Sequence, residues 1–83
     1  MRTEEAHQQM RNLIIEWDPF QFGEYETEIA DIIQSVHKHK DPNKLGKEIQ
    51  IIFEHSFEKW LPLRECQTMA EKLLFIKEIS DCS

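Results

Sequence analysis

The sequence predicts an all-α protein, a compact single domain of about four helices built from residues 1–83. Prolines at positions 19, 42 and 62 divide the chain into four segments. Within each segment apolar residues recur every three or four positions, the spacing that gives a helix one apolar face. Only two glycines and three prolines occur among 83 residues, which leaves little material for hairpin turns. We therefore predict helices near residues 3–17, 24–39, 42–59 and 63–79.

The first helix should end before the pair Asp18-Pro19. A residue that precedes proline avoids helical geometry, so the last helical position is expected near Trp17. Two aromatic residues of the loop that follows, Phe20 and Phe22, are too apolar to remain in water. We expect both side chains to fold back onto the core.

The third helix has a clear start, because Asp41 is a good N-cap and Pro42 fits the first helical position, where no N–H is needed. Gly46 then lies beside the apolar stripe. A glycine inside a helix costs about 1 kcal/mol relative to alanine, so we expect a neighbouring helix to pack closely there. Eight residues of the four stripes are expected to be mostly buried: Trp17, Tyr25, Ile29, Ile32, Ile49, Phe53, Trp60 and Leu73.

The net charge of −6 argues against binding to nucleic acid, whose phosphates require clusters of lysine and arginine. No apolar run approaches the roughly 20 residues that span a bilayer. The amino terminus lacks the apolar core of a signal peptide, and the two cysteines fit a reduced compartment. We therefore expect a cytoplasmic protein that does not associate with membranes.

The negative charge is unevenly distributed along the chain. Residues 1–41 hold nine acidic and four basic side chains, whereas residues 42–83 hold seven and six. Six of the nine acidic residues lie between Glu16 and Asp31. Such a tract can attract a basic protein partner, or it can serve only as a solvated surface that keeps the protein soluble.

Two patterns of residues carry a family resemblance. The first is Ile14-Ile15-x-Trp17-Asp18-Pro19 followed by Gly23-x-Tyr25-Glu26-x-Glu28-x-x-Asp31-Ile32, and the second is Phe57-Glu58-x-Trp60-x-Pro62-Leu63 with Glu65-Cys66. In these patterns the chain resembles, through nearly its whole length, the YugE-like family of small proteins of bacilli, a domain of unknown function. The resemblance implies a small all-helical bacterial protein. It supplies no established activity, cofactor or catalytic residue.

The corner formed by Trp17, Asp18 and Pro19 has two interpretations. As a recognition corner, Trp17 would anchor a partner and Asp18 would form an ion pair with it. As a structural corner, Trp17 would belong to the core and Asp18 would cap the turn by bonding to nearby N–H groups.

Glu24, Glu28 and Asp31 are predicted to lie on one narrow stripe of the second helix. We expect all three to be exposed, because unpaired carboxylates on one helix repel one another unless water screens them. An exposed stripe can steer a basic partner. The alternative is a small metal-dependent enzyme in which the stripe holds Mg²⁺ or Ca²⁺. We expect no metal, since a di-metal bundle needs Glu-x-x-His motifs on two helices and this chain does not have them.

No sequence motif identifies a reaction. The four histidines are scattered, and the chain has no zinc-protease, paired-cysteine, nucleophile-elbow or phosphate-loop motif. Cys66 has apolar neighbours on its stripe, which indicates an inert thiol. We expect neither enzymatic activity nor a cofactor, and predict a protein-binding module, a regulator or an inhibitor comparable in size, charge and fold to small helical immunity proteins. Its predicted partner-binding residues are Trp17, Asp18, Glu24, Glu28 and Asp31.

Ile15 and Phe75 fall off the apolar stripes of the first and fourth helices. Two such side chains can form a second contact surface, but isolated apolar residues are also common at the surfaces of monomers. The oligomeric state that we expect is therefore a monomer or a weak homodimer.

Overall fold

The chain folds into four α-helices, α1 (Thr3–Trp17), α2 (Glu26–Lys38), α3 (Pro42–Phe57) and α4 (Leu63–Cys82). The structure is a computed structural model that describes residues 3–21 and 25–82, and side chains within 4–21 and 25–80. Helices account for all regular structure in these ranges, which confirms the predicted all-α fold. The second and third helices end slightly earlier than predicted, and α4 runs three residues further.

One hydrophobic core lies between the four helices. The α3–α4 pair is the most extensive contact, and α2 touches each of the other three helices. The buried apolar residues are Ala6, Met10, Ile14, Tyr25, Ile29, Ile32, Val36, Leu45, Ile49, Phe53, Leu61, Cys66, Met69, Ala70, Leu73 and Ile76. Within the described part of the chain, no helix is long and apolar enough to cross a bilayer.

Six of the eight residues expected in the core are buried there, Trp17 packs against it in a partly buried position, and Trp60 differs from the expectation. Trp17 is only partly buried, with its ring edge-to-face against Phe53 at a centroid distance of 5.7 Å. Trp60 is 62% exposed, so its predicted burial is wrong. The reason is that α3 ends at Phe57 and Glu58 adopts a left-handed conformation with φ of 56°. Trp60 therefore lies beyond the end of α3, and the helical spacing that would place it on the apolar stripe does not apply to it.

Side chains satisfy backbone groups at two helix ends. The Asp41 carboxylate accepts a hydrogen bond of 2.9 Å from the N–H of Asn43, which confirms Asp41 as the N-cap of α3. At the carboxyl end of α2, the side chain of Lys77 from α4 donates to the carbonyl oxygens of Val36 at 3.2 Å and His37 at 3.4 Å. A cation at the carboxyl end of α2 also complements the helix dipole. Lys77 therefore fastens the end of α2 to α4.

Gly46 is the point of closest approach between α3 and α4. A Cβ atom at this position would lie 2.9 Å from Cα and 3.0 Å from the backbone N of Gln67. Ordinary side-chain carbons do not approach a backbone this closely. The expected close packing against Gly46 is thus confirmed, and α4 is the neighbour.

Candidate functional site

The corner after α1 is held together by a buried tyrosine. Asp18 has a positive φ of 39°, and its Oδ1 accepts a short hydrogen bond from the hydroxyl of Tyr25. The same hydroxyl accepts a hydrogen bond of 3.2 Å from the N–H of Phe20. Because Tyr25 is only 1% exposed, its hydroxyl depends on these partners for hydrogen bonding. Asp18 therefore has a structural role in this corner, although this bond comes from the hydroxyl of Tyr25 and not from the N–H groups that the second interpretation named.

Aromatic side chains of the same corner pack against α3. The ring of Phe20 lies 5.8 Å from that of Phe53 and 4.9 Å from that of Phe57. This contact confirms that Phe20 folds back, whereas Phe22 lies outside the described residues. Trp17 packs on the same ring of Phe53. A partner-binding role of Trp17 and Asp18 stays a prediction, and their contacts within the fold connect the corner to Tyr25 and to α3.

Tyr25→Phe removes only the hydroxyl and should lower the free energy of unfolding by about 1–3 kcal/mol, because the Asp18 carboxylate loses a partly buried hydrogen bond. Equilibrium urea unfolding, followed by circular dichroism, measures the change. Asp18→Asn is the matched control, since the amide oxygen can still accept from Tyr25 and the loss should be smaller. Equal stability of Tyr25→Phe and the wild type would contradict the structural role of the pair.

The predicted carboxylate stripe on the second helix is not a continuous exposed surface. Asp31 is exposed as expected, but Glu28 is only 8% exposed, so that prediction is wrong for Glu28. The physical reason is that α2 packs against all three other helices and buries a wide face, on which Glu28 lies one turn before Ile32. Glu24 lies outside the described residues.

A further acidic residue of this tract is paired within the fold. The carboxylate of Glu26 in α2 accepts two hydrogen bonds from the guanidinium of Arg11 in α1, one of them 2.7 Å long. These bonds lower the pKa of Glu26 and raise that of Arg11. Both groups are at the surface, where such a pair adds little stability. Its consequence is electrostatic, because it reduces the negative charge that the tract presents to a partner.

Cys66 lies in the core and has the properties of an inert thiol. Its side chain is fully buried, and burial, followed by the charge of Glu65, raises the pKa of the thiol to about 11. At neutral pH almost none of the nucleophilic thiolate form is present. Among the residues that the structure describes, no three His, Cys, Asp or Glu side chains are grouped to hold a metal ion.

The connection between α3 and α4 displays an exposed indole on a fixed backbone. The N–H of Glu58 closes α3 with a hydrogen bond of 2.7 Å to the carbonyl oxygen of Glu54. The side-chain amide of Gln50 donates to the carbonyl oxygen of Leu61 at 2.7 Å, and Leu61 is buried. Trp60 lies between these two anchors and is 62% exposed. Two other apolar residues of the flanking helices are exposed, Leu63 at the start of α4 and Ile51 beside Gln50 on α3.

A histidine pair and a surface groove are each formed by residues that are far apart in the sequence. The imidazole rings of His7 in α1 and His37 in α2 meet through their edges, with 2.8 Å between the two Nε2 atoms. A groove of about 530 Å³ separates the α2–α3 connection from α4, and its lining includes Lys40 and Phe75. Phe75 is 62% exposed, and Ile15 is also exposed, as the sequence predicted.

Sequence reasoning missed the histidine pair and the exposure of Trp60. Thirty positions separate His7 from His37, and no local pattern connects them. For Trp60 a signal did exist, because Pro62 restricts the residue before it and a helix commonly ends a few residues ahead of a proline.

Comparisons with known proteins give one consistent family. Residues 9–83 match the model of the family described as Domain of unknown function (DUF1871). The chain is 49% identical over 84 residues to the uncharacterized protein YugE of Bacillus subtilis, with coverage of 96% of this chain and 98% of that protein. Its fold is similar to the crystal structure of APC36109 from Bacillus stearothermophilus, with a TM-score of 0.88 and 30% identity over 93% of this chain and 98% of the other. The resemblance stated from the sequence is confirmed, and the chain belongs to the DUF1871 family, a bacterial domain of unknown function.

Proposed function

We propose that the protein is a non-catalytic protein-binding module that inserts Trp60 into a pocket of a basic partner protein. The observation that carries the proposal is the exposure of Trp60, 62% in a chain whose other tryptophan packs on the core. Tryptophan is enriched among the residues that dominate binding energy at protein interfaces. An indole supplies a large contact area while only two side-chain torsions become fixed.

The backbone around Trp60 supports this role, because it is hydrogen-bonded on both sides. The hydrogen bond from Gln50 to Leu61 and the helix-closing bond of Glu58 hold both sides of the indole-bearing residue. Binding by a preorganised loop loses less conformational entropy than binding by a mobile one. Neither of these bonds involves the exposed indole, so Trp60→Ala should change the free energy of unfolding by less than about 0.5 kcal/mol.

The basic character of the partner is proposed from charge. The net charge of −6 favours encounter with a positively charged protein. Glu16 and Asp31 remain exposed in the acidic tract, whereas Glu26 is paired with Arg11 and Glu28 is buried. Long-range attraction therefore depends on charge spread over the chain more than on one stripe. A regulator or an inhibitor of another protein would act through such a contact.

The test is a matched pair of surface variants in the source cell. Trp60→Ala and Phe75→Ala each remove an aromatic side chain that is 62% exposed, on different parts of the surface. Affinity purification of tagged wild type and Phe75→Ala should retain a common protein that Trp60→Ala loses. The purified partner should then bind wild type directly, with at least tenfold lower affinity for Trp60→Ala.

The salt dependence of that reconstituted complex tests the charge component. Association with a basic protein should slow as added salt shortens the Debye length from about 10 Å at 0.1 M to about 3 Å at 1 M. Equal binding of both variants, or a loss confined to Phe75→Ala, would contradict the proposed contact. A salt-independent association rate would contradict the basic partner.

A further inference from the structure

We propose that His7 and His37 form a binding site for a divalent transition-metal ion of the zinc class, which bridges α1 and α2. The two residues come from different helices, yet their Nε2 atoms are 2.8 Å apart. Their ring centroids are 5.0 Å apart with an angle of 64° between the ring planes. This site lies outside the Trp60 surface, and its test is independent of the proposed function.

Conversion of the pair into a metal site requires little movement. A tetrahedral ion bound at about 2.0–2.1 Å holds two imidazole nitrogens about 3.3 Å apart and their ring centroids about 5.2 Å apart. The observed centroid separation of 5.0 Å is close to that value. The nitrogens now point nearly at each other, so a modest tilt of both rings separates them and directs both lone pairs at one ion. The torsions of the two histidine side chains would have to supply this tilt.

The chemistry of the pair selects the class of ion. Two neutral imidazoles offer nitrogen lone pairs, which suit Zn²⁺, Cu²⁺, Ni²⁺ and Co²⁺, whereas Mg²⁺ and Ca²⁺ prefer oxygen ligands. In the metal-free pair one ring must donate its N–H to the other. On binding, the donor ring shifts its proton to Nδ1, and the ion replaces the shared hydrogen without net proton release from neutral rings.

Water supplies the remaining ligands in this proposal. Across the described residues no third His, Cys, Asp or Glu joins the pair in a cluster. A site with two protein ligands keeps open positions, which a structural zinc site with four protein ligands does not have. The expected binding is therefore reversible and weaker than that of a structural site.

The position of the pair gives the ion a structural consequence. His7 lies in the first half of α1, and His37 lies in the last turn of α2, whose end is already tied to α4 by Lys77. An ion held by both rings would fasten the amino-terminal helix to this network. Because a ligand that binds only the folded state stabilises it, Zn²⁺ should raise the thermal midpoint of unfolding by a few degrees.

The experiment is titration of the full-length protein with Zn²⁺, monitored by isothermal calorimetry and by competition with a chromogenic chelator. His7→Ala and His37→Ala should each weaken binding at least tenfold and abolish the thermal shift. His55→Ala is the matched control, because His55 is an exposed histidine on α3 outside the pair, and its binding should equal that of wild type. Mg²⁺ should produce no shift.

A second readout keeps the test independent of folding effects in the alanine variants. Co²⁺ is paramagnetic and broadens the NMR signals of nearby protons, so the imidazole signals of His7 and His37 should broaden in wild type and His55→Ala. The remaining histidine of the pair should keep a sharp signal in His7→Ala and in His37→Ala. Circular dichroism confirms that each variant is folded. Absence of Zn²⁺ binding, binding that survives both single substitutions, or binding lost in Cys82→Ser but kept in His7→Ala would overturn the proposal.

Discussion

Phe53→Ala should lower the free energy of unfolding by about 3–5 kcal/mol, the largest loss expected from any single truncation in this protein. Phe53 is fully buried at the centre of an aromatic cluster. Its ring centroid lies 5.7 Å from those of Trp17 and Tyr25, 5.8 Å from that of Phe20 and 6.0 Å from that of Phe57. Removal of the ring leaves a cavity and deprives four other rings of a partner.

This loss is large relative to the whole stability of the domain. A chain of this length is expected to be stable by on the order of 5 kcal/mol, so Phe53→Ala should be partly unfolded without denaturant. Circular dichroism and urea unfolding at a single temperature measure the effect. Phe75→Ala truncates an exposed phenylalanine and should change stability by less than about 0.5 kcal/mol. Similar unfolding midpoints for the two variants would show that the aromatic cluster is not the centre of the core.

Gly46→Ala should destabilise the protein by about 1–3 kcal/mol, although alanine is the better helix former. Helix propensity alone predicts a gain of about 1 kcal/mol for this change in α3. The new methyl group, however, would meet Cα and N of Gln67 at 2.9 and 3.0 Å. These atoms belong to the backbone of α4 and cannot rotate away, so α3 and α4 must separate. The steric cost of that separation exceeds the gain in propensity.

Ser56→Ala is the matched control for this substitution. Ser56 is an exposed residue of the same helix, where replacement by alanine adds propensity without a steric clash and should stabilise by a few tenths of a kcal/mol. Urea unfolding of the two variants under identical conditions therefore separates the two effects. A stabilised Gly46→Ala would show that the two helices can adjust, and would contradict the close approach seen in the structure.

Much of the local architecture was determined by the sequence alone. The prolines at positions 19, 42 and 62 mark the connections between helices because proline restricts the residue before it and lacks an N–H. The apolar period then identifies most of the core, and six of the eight selected residues are buried. Even one tertiary contact was predicted, because a glycine inside a helix needs a packing reason and Gly46 has one in Gln67.

The tertiary structure alone decided which side chains meet and which remain at the surface. Glu28 is buried because α2 contacts three other helices. The apolar period of one helix does not reveal how many helices pack against it. Trp60 is exposed because the left-handed Glu58 ends α3 and redirects the chain, so the helical register that predicted its burial no longer applies. His7 and His37 meet because packing brings residues 30 positions apart to within 2.8 Å. Sequence periodicity specifies the face of each helix, whereas the contacts between faces depend on how all four helices pack together.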